Sequence, residues 1–164
     1  MEQQTSEAKQ SGADGIVFGS LLEDGSVDKT SLTHIIKTAY PLPVTFHRAF
    51  DECKDPFTAV HSIIECGCRT LLTSGLQPFA WQGLSLIKKL QQQFGNKIEI
   101  MPGSGIHDSN AEEIIRTTGV KWIHASARVD AATGKIMSEE MIRKIITVLS
   151  AMKNTQQDNL FQDR

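Results

Sequence analysis

Residues 41–51, with the sequence PLPVTFHRAFD, decide the fold of this chain. Two prolines favour an extended backbone at the start of this stretch, and the β-forming run from Val44 to Phe46 follows them directly. The run then breaks into a polar cluster of His47, Arg48 and Asp51. This pattern predicts a buried strand with a cluster of polar side chains at its carboxyl end.

The same design recurs along the rest of the chain. Short apolar segments alternate with helical segments, several of which begin at a capping aspartate, such as Asp28 and Asp55, and end at a glycine. Such alternation predicts a parallel sheet of βα units, which form one domain over residues 1–152, followed by a frayed polar tail over residues 153–164. The other predicted strands are 14–18, 69–74, 97–101 and 121–126, and the predicted helices are 2–12, 28–39, 55–66, 80–94, 108–118 and 138–152.

The two side-chain frames of these strands differ in polarity. One frame is apolar and should face the helices, whereas the other carries Thr45, His47, Glu99, His124 and Ser126. In an open doubly wound sheet both faces pack on helices, so both side-chain frames of its strands are apolar. In a barrel the frame that points inward can carry polar residues. We therefore expect an α/β fold of the TIM type, a partial barrel of about five parallel βα units, with an open sheet as the alternative. Because a complete barrel needs eight strands, a barrel of five is a fragment or closes by association.

Composition excludes several classes of protein. The 164 residues carry a net charge of -2, with a pI near 6.2, which argues against a nucleic-acid or anionic-membrane surface. No apolar run has the length of a membrane helix, and the first ten residues lack a signal-peptide core. The three cysteines fit a reducing compartment. We expect a cytoplasmic protein, with the nucleus also open.

Ligand-binding candidates lie where the predicted strands end, because sites in parallel α/β folds form at the carboxyl ends of strands. The run from Gly103 to Gly105 precedes a helix and suits an anion, although a tight turn that needs glycine explains it as well. The candidate ligand-binding residues are Arg48, Asp51, Ser74, Gly103, Ser104, Gly105, Ser126 and Arg128.

Catalytic candidates share the polar frame. An imidazole side chain suits proton transfer near neutral pH, which makes His47 and His124 the candidates. Glu99, inside a barrel, needs a partner, and we expect that partner to be His47, Arg48 or His124. The alternative is a structural polar network that fills the barrel.

Soft-metal candidates are few. The pair Cys66 and Cys68 lies at a helix end, on the opposite side from the polar cluster, and is expected to serve packing. Cys53 lies on the polar side, where it can join His47 or Met101 around a soft metal. The metal candidates are His47, Cys53, Met101 and His124, whereas His34, His61 and His107 are expected on the surface.

Five motifs lie in successive βα units: GADGIVFG at 12–19, PVTFHRAFD at 43–51, LTSG at 72–75, MPGSGI at 101–106 and HASAR at 124–128. Together they resemble the CutC family of copper homeostasis proteins. The resemblance implies a TIM-type barrel, a cytoplasmic homo-oligomer and copper handling through Cu(I) binding, without a settled catalytic reaction. It also implies that the first three βα units of a longer family barrel are absent, and Ser104 stands where the family usually has a glycine.

Three functions follow from these observations. The first is copper homeostasis with Cu(I) binding, which the resemblance implies. The second is a TIM-barrel enzyme, in which Gly103, Gly105 and Ser126 hold a small phosphorylated anion and His47 or His124 acts as general acid or base. The third is an inert truncated product. The expected partners are a copper ion or a small anionic ligand and a second copy of the chain, and whether the protein is an enzyme stays open.

Overall fold

The protein is described here by a computed structural model. It covers residues 1–131 and 134–162, and side chains are described for residues 1–127 and 137–151. Within these residues, no helix combines the length and the apolar character that crossing a bilayer requires.

The core of the fold is a parallel sheet of four short strands. These are β1 (Ile16–Phe18), β2 (Val44–Phe46), β3 (Thr70–Thr73) and β4 (Glu99–Pro102), paired in the order β1-β2-β3-β4. Phe18, Phe46, Leu71 and Ile100 stand in one register row across the sheet. Sequential strands that are parallel neighbours, each joined to the next by a helix, are the arrangement of a barrel wall.

Helices precede, connect and follow these strands, mostly at the predicted boundaries. Asp28 caps the helix between β1 and β2 by accepting from the backbone N–H of Ser31. Asp55 caps the next helix, with Pro56 in its first turn and Gly67 in the left-handed region at its end. The helices are α1 (Glu2–Gln10), α2 (Lys29–Ala39), α3 (Pro56–Cys66), α4 (Leu84–Phe94), α5 (Asp108–Thr118) and α6 (Glu139–Gln162), with a short 3-10 helix at Arg48–Glu52.

The helix-facing side of the sheet is buried, as the apolar frame predicts. Val44, Phe46, Leu71 and Ile100 are at most 2% exposed and pack against α2, α3, α4 and α5 residues in one hydrophobic cluster. Burying a large apolar side chain stabilises the fold by about 1.5–3 kcal/mol. The helical layer therefore completes this side of the sheet within the chain itself.

The other side of the sheet, which we call the inner face, carries Val17, Thr45, Thr70, Leu72 and Met101, together with Glu99. It is open: Val17 is 63% exposed, and Thr45, Glu99 and Met101 are half-buried. The sheet curves around a cavity of about 680 Å³, which is lined from one edge by Val17 and from the other by Trp122. The polar frame thus points into the concave side of a partial barrel.

The predicted fifth strand, 121–126, is wrong as a strand. This segment is joined to β4 by a single parallel bridge between Gly103 and His124, in which the N–H of His124 donates to the carbonyl of Pro102 at 2.8 Å. Ile123 and Ala125 are only partly buried against the core, so this segment gains less from packing than β2 or β4. The sheet therefore has four full strands and a loosely attached fifth segment.

Beyond this segment the structure differs from the sequence expectation in two places. Residues Arg128–Ala131 and Gly134–Met137, for which no strand is predicted, form two strands, β5 and β6, that pair antiparallel. Helix α6 packs on α5 and runs to Gln162, through the segment predicted as a frayed tail.

Candidate functional site

Asp51 is the centre of the polar cluster at the carboxyl ends of β2 and β3. Its carboxylate is 5% exposed and accepts the hydroxyl of Thr73 at 2.5 Å and the backbone N–H of Leu76 at 3.2 Å. The backbone N–H of Ser74 donates to both carboxylate oxygens at 3.0 Å. A buried carboxylate needs such donors, and here they come almost entirely from one loop, residues 73–77. Asp51 therefore fixes the loop between β3 and α4.

Arg48 joins this cluster from the 3-10 helix. Its Nε donates to Asp51 Oδ2 at 2.7 Å, and its Nη2 donates to the hydroxyl of Ser74 at 2.9 Å. The Ser74 hydroxyl shares its single proton between Asp51 and the carbonyl of Gln77. The Arg48 side chain is still 40% exposed, and its Nη1 takes no part in either bond. We call Arg48, Asp51, Thr73 and Ser74 the Asp51 network.

His47 lies beside this network in a defined tautomer. Its Nδ1 accepts the backbone N–H of Ala49 at 3.0 Å, which caps the 3-10 helix. Because Nδ1 is an acceptor, the neutral ring carries its proton on Nε2. Gly19 gives the ring its space, since a Cβ there would lie 2.6 Å from Nδ1. The half-buried His47 therefore presents an N–H donor at the carboxyl end of β2.

The run from Gly103 to Gly105 is held by the loop before α4. The Ser104 hydroxyl donates to the carbonyl of Pro78 at 2.8 Å, and the N–H of Ala80 donates to the carbonyl of Ser104 at 3.0 Å. Gly105 has φ +65° and lies against the ring of Phe79, where a Cβ would come within 2.7 Å of Cδ1. These contacts are those of a tight, packed turn, which was the plainer of the two predictions.

His107 stands at the N-cap position of α5, directly before the first helical residue, Asp108. Asn110 is buried, and its side-chain amide forms hydrogen bonds with two residues that precede it in the chain. Its Oδ1 accepts the N–H of His107 at 2.9 Å, and its Nδ2 donates to the carbonyl of Gly105 at 2.8 Å. This amide therefore binds the glycine-containing turn to the helix start.

Two exposed aromatic side chains on the same loop were missed by the sequence reasoning. Phe79 and Trp81 stack with their ring centroids 6.4 Å apart and their planes 8° from parallel. They are 45% and 50% exposed. The sequence predicted a helix from residue 80, which placed Trp81 inside it, whereas α4 begins at Leu84 and both rings lie in the loop before it.

Glu99 does not join the carboxyl-end cluster. It is the first residue of β4, and its carboxylate accepts Arg69 Nη2 at 3.1 Å and the Thr70 hydroxyl at 3.3 Å. The predicted partners His47, Arg48 and His124 were therefore wrong. A shared frame sets which face a side chain points to, but the position along the strand decides which end it reaches. Glu99 lies at the amino ends of the strands.

The remaining ligand candidates are distributed as follows. His124 and Ser126 are exposed beyond the edge of β4. His124 and His47 are separated by three strand spacings, which is about 14 Å along the sheet, so they do not form a pair. Met101 is half-buried on the inner face, next to Leu72 on β3. The Arg128 side chain lies outside the described residues.

Two of the three thiols, those of Cys53 and Cys68, are poor metal ligands in this arrangement. Cys53 is buried in the hydrophobic cluster, and this burial, together with nearby Asp51, raises the pKa of its thiol to about 11. Burial and nearby Cys66 raise the pKa of the Cys68 thiol to about 12. Soft metals bind the thiolate, which these environments disfavour. Among the described side chains, no three or more His, Cys, Asp or Glu residues converge into a metal-binding group.

Comparison with known proteins identifies the family. The sequence pattern of the CutC family matches residues 1–129. The chain belongs to the CutC family. A copper homeostasis protein cutC homolog from Mus musculus is 45% identical over 127 residues, covering 77% of this chain and 47% of the mouse protein. The chain thus spans about half the length of the curated relatives that it matches.

Solved structures agree with the fold. The crystal structure of a copper homeostasis protein CutC from Streptococcus agalactiae superimposes with a TM-score of 0.71 at 28% identity, covering 75% of this chain and 60% of that one. A thiamine phosphate pyrophosphorylase from Pyrococcus furiosus reaches a TM-score of 0.63 at 19% identity, covering 90% of this chain and 64% of that one. The latter likeness concerns the fold alone. The predicted TIM-type partial barrel is confirmed.

Proposed function

We propose that this protein takes part in copper homeostasis and binds Cu(I) as its cargo on the inner face of the sheet. The observation that carries the proposal is the match of residues 1–129 to the CutC family. The mouse relative bears the name of a copper homeostasis protein, and the match extends over every strand of the parallel sheet.

Met101 and His124 are the residues of this chain best suited to hold Cu(I). Gly103 pairs with His124, and Met101 lies two residues before Gly103, so Met101 and His124 are diagonal neighbours on adjacent segments. Diagonal neighbours are about 8 Å apart at Cα, within reach of long side chains. Thioether and imidazole groups suit Cu(I). His47 is less suited, because its Nδ1 is occupied and its Nε2 carries the proton.

Competition for Cu(I) against a chromogenic chelator, under reducing and oxygen-free conditions, tests this assignment. We expect Met101→Leu and His124→Ala each to weaken binding at least about tenfold, while His34→Ala, on the outside of α2, leaves it unchanged. Full binding by the Met101→Leu, His124→Ala double variant would reject the site. A loss seen only in Cys66→Ser would assign the copper to a thiol instead.

A second candidate function rests on the His47 tautomer. The Nε2–H of His47 and the exposed part of the Arg48 guanidinium are two hydrogen-bond donors on neighbouring residues. Such a pair of donors can bind a small anion, for example the phosphate group of a phosphorylated metabolite. In an enzyme of this kind, His47 would donate its proton or a hydrogen bond to the substrate.

Calorimetric titration with inorganic phosphate tests this second candidate. The variant His47→Asn keeps an acceptor for the Ala49 N–H but removes the Nε2–H, so we expect it to lose phosphate binding. His34→Ala serves as the control. Equal phosphate binding by the parent and by His47→Asn would rule the candidate out.

A further inference from the structure

Two aromatic side chains on the loop between β3 and α4, Phe79 and Trp81, are half-exposed although the backbone that carries them is firmly held. Ala80, which separates them, is fully buried, and its N–H donates to the carbonyl of Ser104 at 3.0 Å. The N–H of Gln82 donates to the carbonyl of Phe79 at 3.0 Å and closes the turn. The small residue therefore anchors the loop, while the two large rings, which we call the aromatic pair, remain accessible.

The exposure of the aromatic pair belongs to a central loop of the sheet. β3 pairs with β2 on one side and with β4 on the other, so the loop that follows β3 lies away from both edges of the sheet. The Phe79 ring already lies against Gly105, in the turn after β4, and the two rings of the pair are parallel to within 8°. Large apolar side chains that stay exposed on a fixed loop mark a binding surface, and parallel rings suit a flat ligand.

A short stretch of the same loop connects the aromatic pair to the donors that suit an anion. The Ser74 hydroxyl accepts from Arg48 Nη2 at 2.9 Å and also contacts the carbonyl of Gln77. Gln77 precedes Phe79 by two residues, which span at most about 7 Å. The partly exposed guanidinium and the rings therefore lie on one rim of the sheet, at the carboxyl ends of β2, β3 and β4.

We infer that the ligand of this rim is a mononucleotide-like compound, whose aromatic base stacks on the aromatic pair while its phosphate binds the donors of His47 and Arg48. The inference rests on the anion site proposed above and adds the chemical class of the group that the anion carries. Every base has a flat face, so the aromatic pair selects for a base without specifying which one. Because the loop is held before a ligand arrives, binding costs little conformational freedom.

Calorimetric titration of the full chain with adenosine 5′-monophosphate, ribose 5-phosphate and inorganic phosphate tests the inference. We expect the nucleotide to bind about tenfold more tightly than ribose 5-phosphate, because only the nucleotide carries a base that can stack. Trp81→Leu should abolish this preference, whereas Trp81→Phe keeps an aromatic face and should retain most of it. Tyr40→Leu alters a 76% exposed aromatic residue at the end of α2 and should change none of the three affinities.

Tryptophan fluorescence gives a second measurement of the same contact. The chain has two tryptophans, so Trp122→Phe leaves Trp81 as the only one. Adenosine 5′-monophosphate should quench the emission of this variant and ribose 5-phosphate should not, since only a stacked base contacts the indole. Equal effects of the two compounds would contradict stacking on Trp81.

The titrations separate the failure of this inference from the failure of the anion site. Binding of all three compounds, with equal affinities for the nucleotide and ribose 5-phosphate, overturns the inference alone. Binding of none of them removes the anion site, and the inference with it. A preference for the nucleotide that survives both Trp81→Leu and Phe79→Leu places the base on another surface and also overturns the inference. Circular dichroism of each variant confirms that it is folded.

Discussion

The two faces of the four-stranded parallel sheet differ in how deeply their side chains are buried. On β2, Phe46 is fully buried beneath the helices, whereas its neighbour Thr45 lies half-buried on the open inner face. The helix-facing side is completed by helices within the chain, because each βα unit carries its own cover. The inner side is completed only by strands across a barrel, which these residues do not include. A βα segment can therefore stabilise one face alone, while the other face needs a cover from outside it.

The largest expected effect tests the buried face directly. Phe46→Ala removes a ring that is 0% exposed in the core, and we expect a loss of about 3–5 kcal/mol in unfolding free energy. Thr45→Ala, the adjacent residue on the opposite face, should cost less than about 1 kcal/mol. Urea unfolding followed by circular dichroism measures both. Similar losses in the two variants would show that the inner face is already packed.

The second prediction compares the two ends of the strands. Asp51→Asn removes the charge at the centre of a network whose carboxylate is 5% exposed, and should cost about 3 kcal/mol. Glu99→Gln makes the same change in a carboxylate that is 36% exposed, and should cost less than about 1 kcal/mol. Urea midpoints of the two variants give the comparison. An equal shift would mean that the Asp51 network is no more important than a surface ion pair.

The third prediction separates backbone conformation from close packing by comparing a glycine after β4 with a glycine after α5. Gly105 and Gly119 both have positive φ, of +65° and +75°, but only a Cβ at Gly105 meets a neighbour, 2.7 Å away in Phe79. We expect Gly119→Ala to cost about 1 kcal/mol and Gly105→Ala about 2 kcal/mol, because the Phe79 ring must also move. Thermal unfolding measures the costs, and tryptophan fluorescence from neighbouring Trp81 should change only in Gly105→Ala.

The smallest effect concerns the buried thiols at alkaline pH. The pKa of Cys53 is raised from 9.0 to about 11, and that of Cys68 to about 12, so the folded chain holds these protons after the unfolded chain has released them. Their contribution to stability is complete below pH 9.0 and declines as the pH rises through 11. The unfolding free energy should therefore fall less steeply above pH 9.0 in the Cys53→Ala, Cys68→Ala variant than in the parent. Parallel slopes would show that the two thiols are not protected by burial.

The sequence alone determined the order of the six helices and of the four strands of the parallel sheet, and the apolar face of those strands, because these depend on local periodicity and on caps such as Asp28 and Asp55. It also identified Arg48, Asp51 and Ser74 as polar residues at strand ends. Their bonding to one another, and the separation of Glu99 from them, depend on strand register and on position along each strand, which no local pattern encodes.

The tertiary structure alone decided which candidates are accessible. It buries Cys53 in the core, occupies Nδ1 of His47 with a backbone N–H and holds the turn from Gly103 to Gly105 against Phe79. It also leaves 121–126 on a single bridge, although its sequence has strand character. The physical reason is that burial and pairing depend on what lies opposite a segment in space. For the inner face of this sheet, the opposite wall of the barrel is not among the described residues.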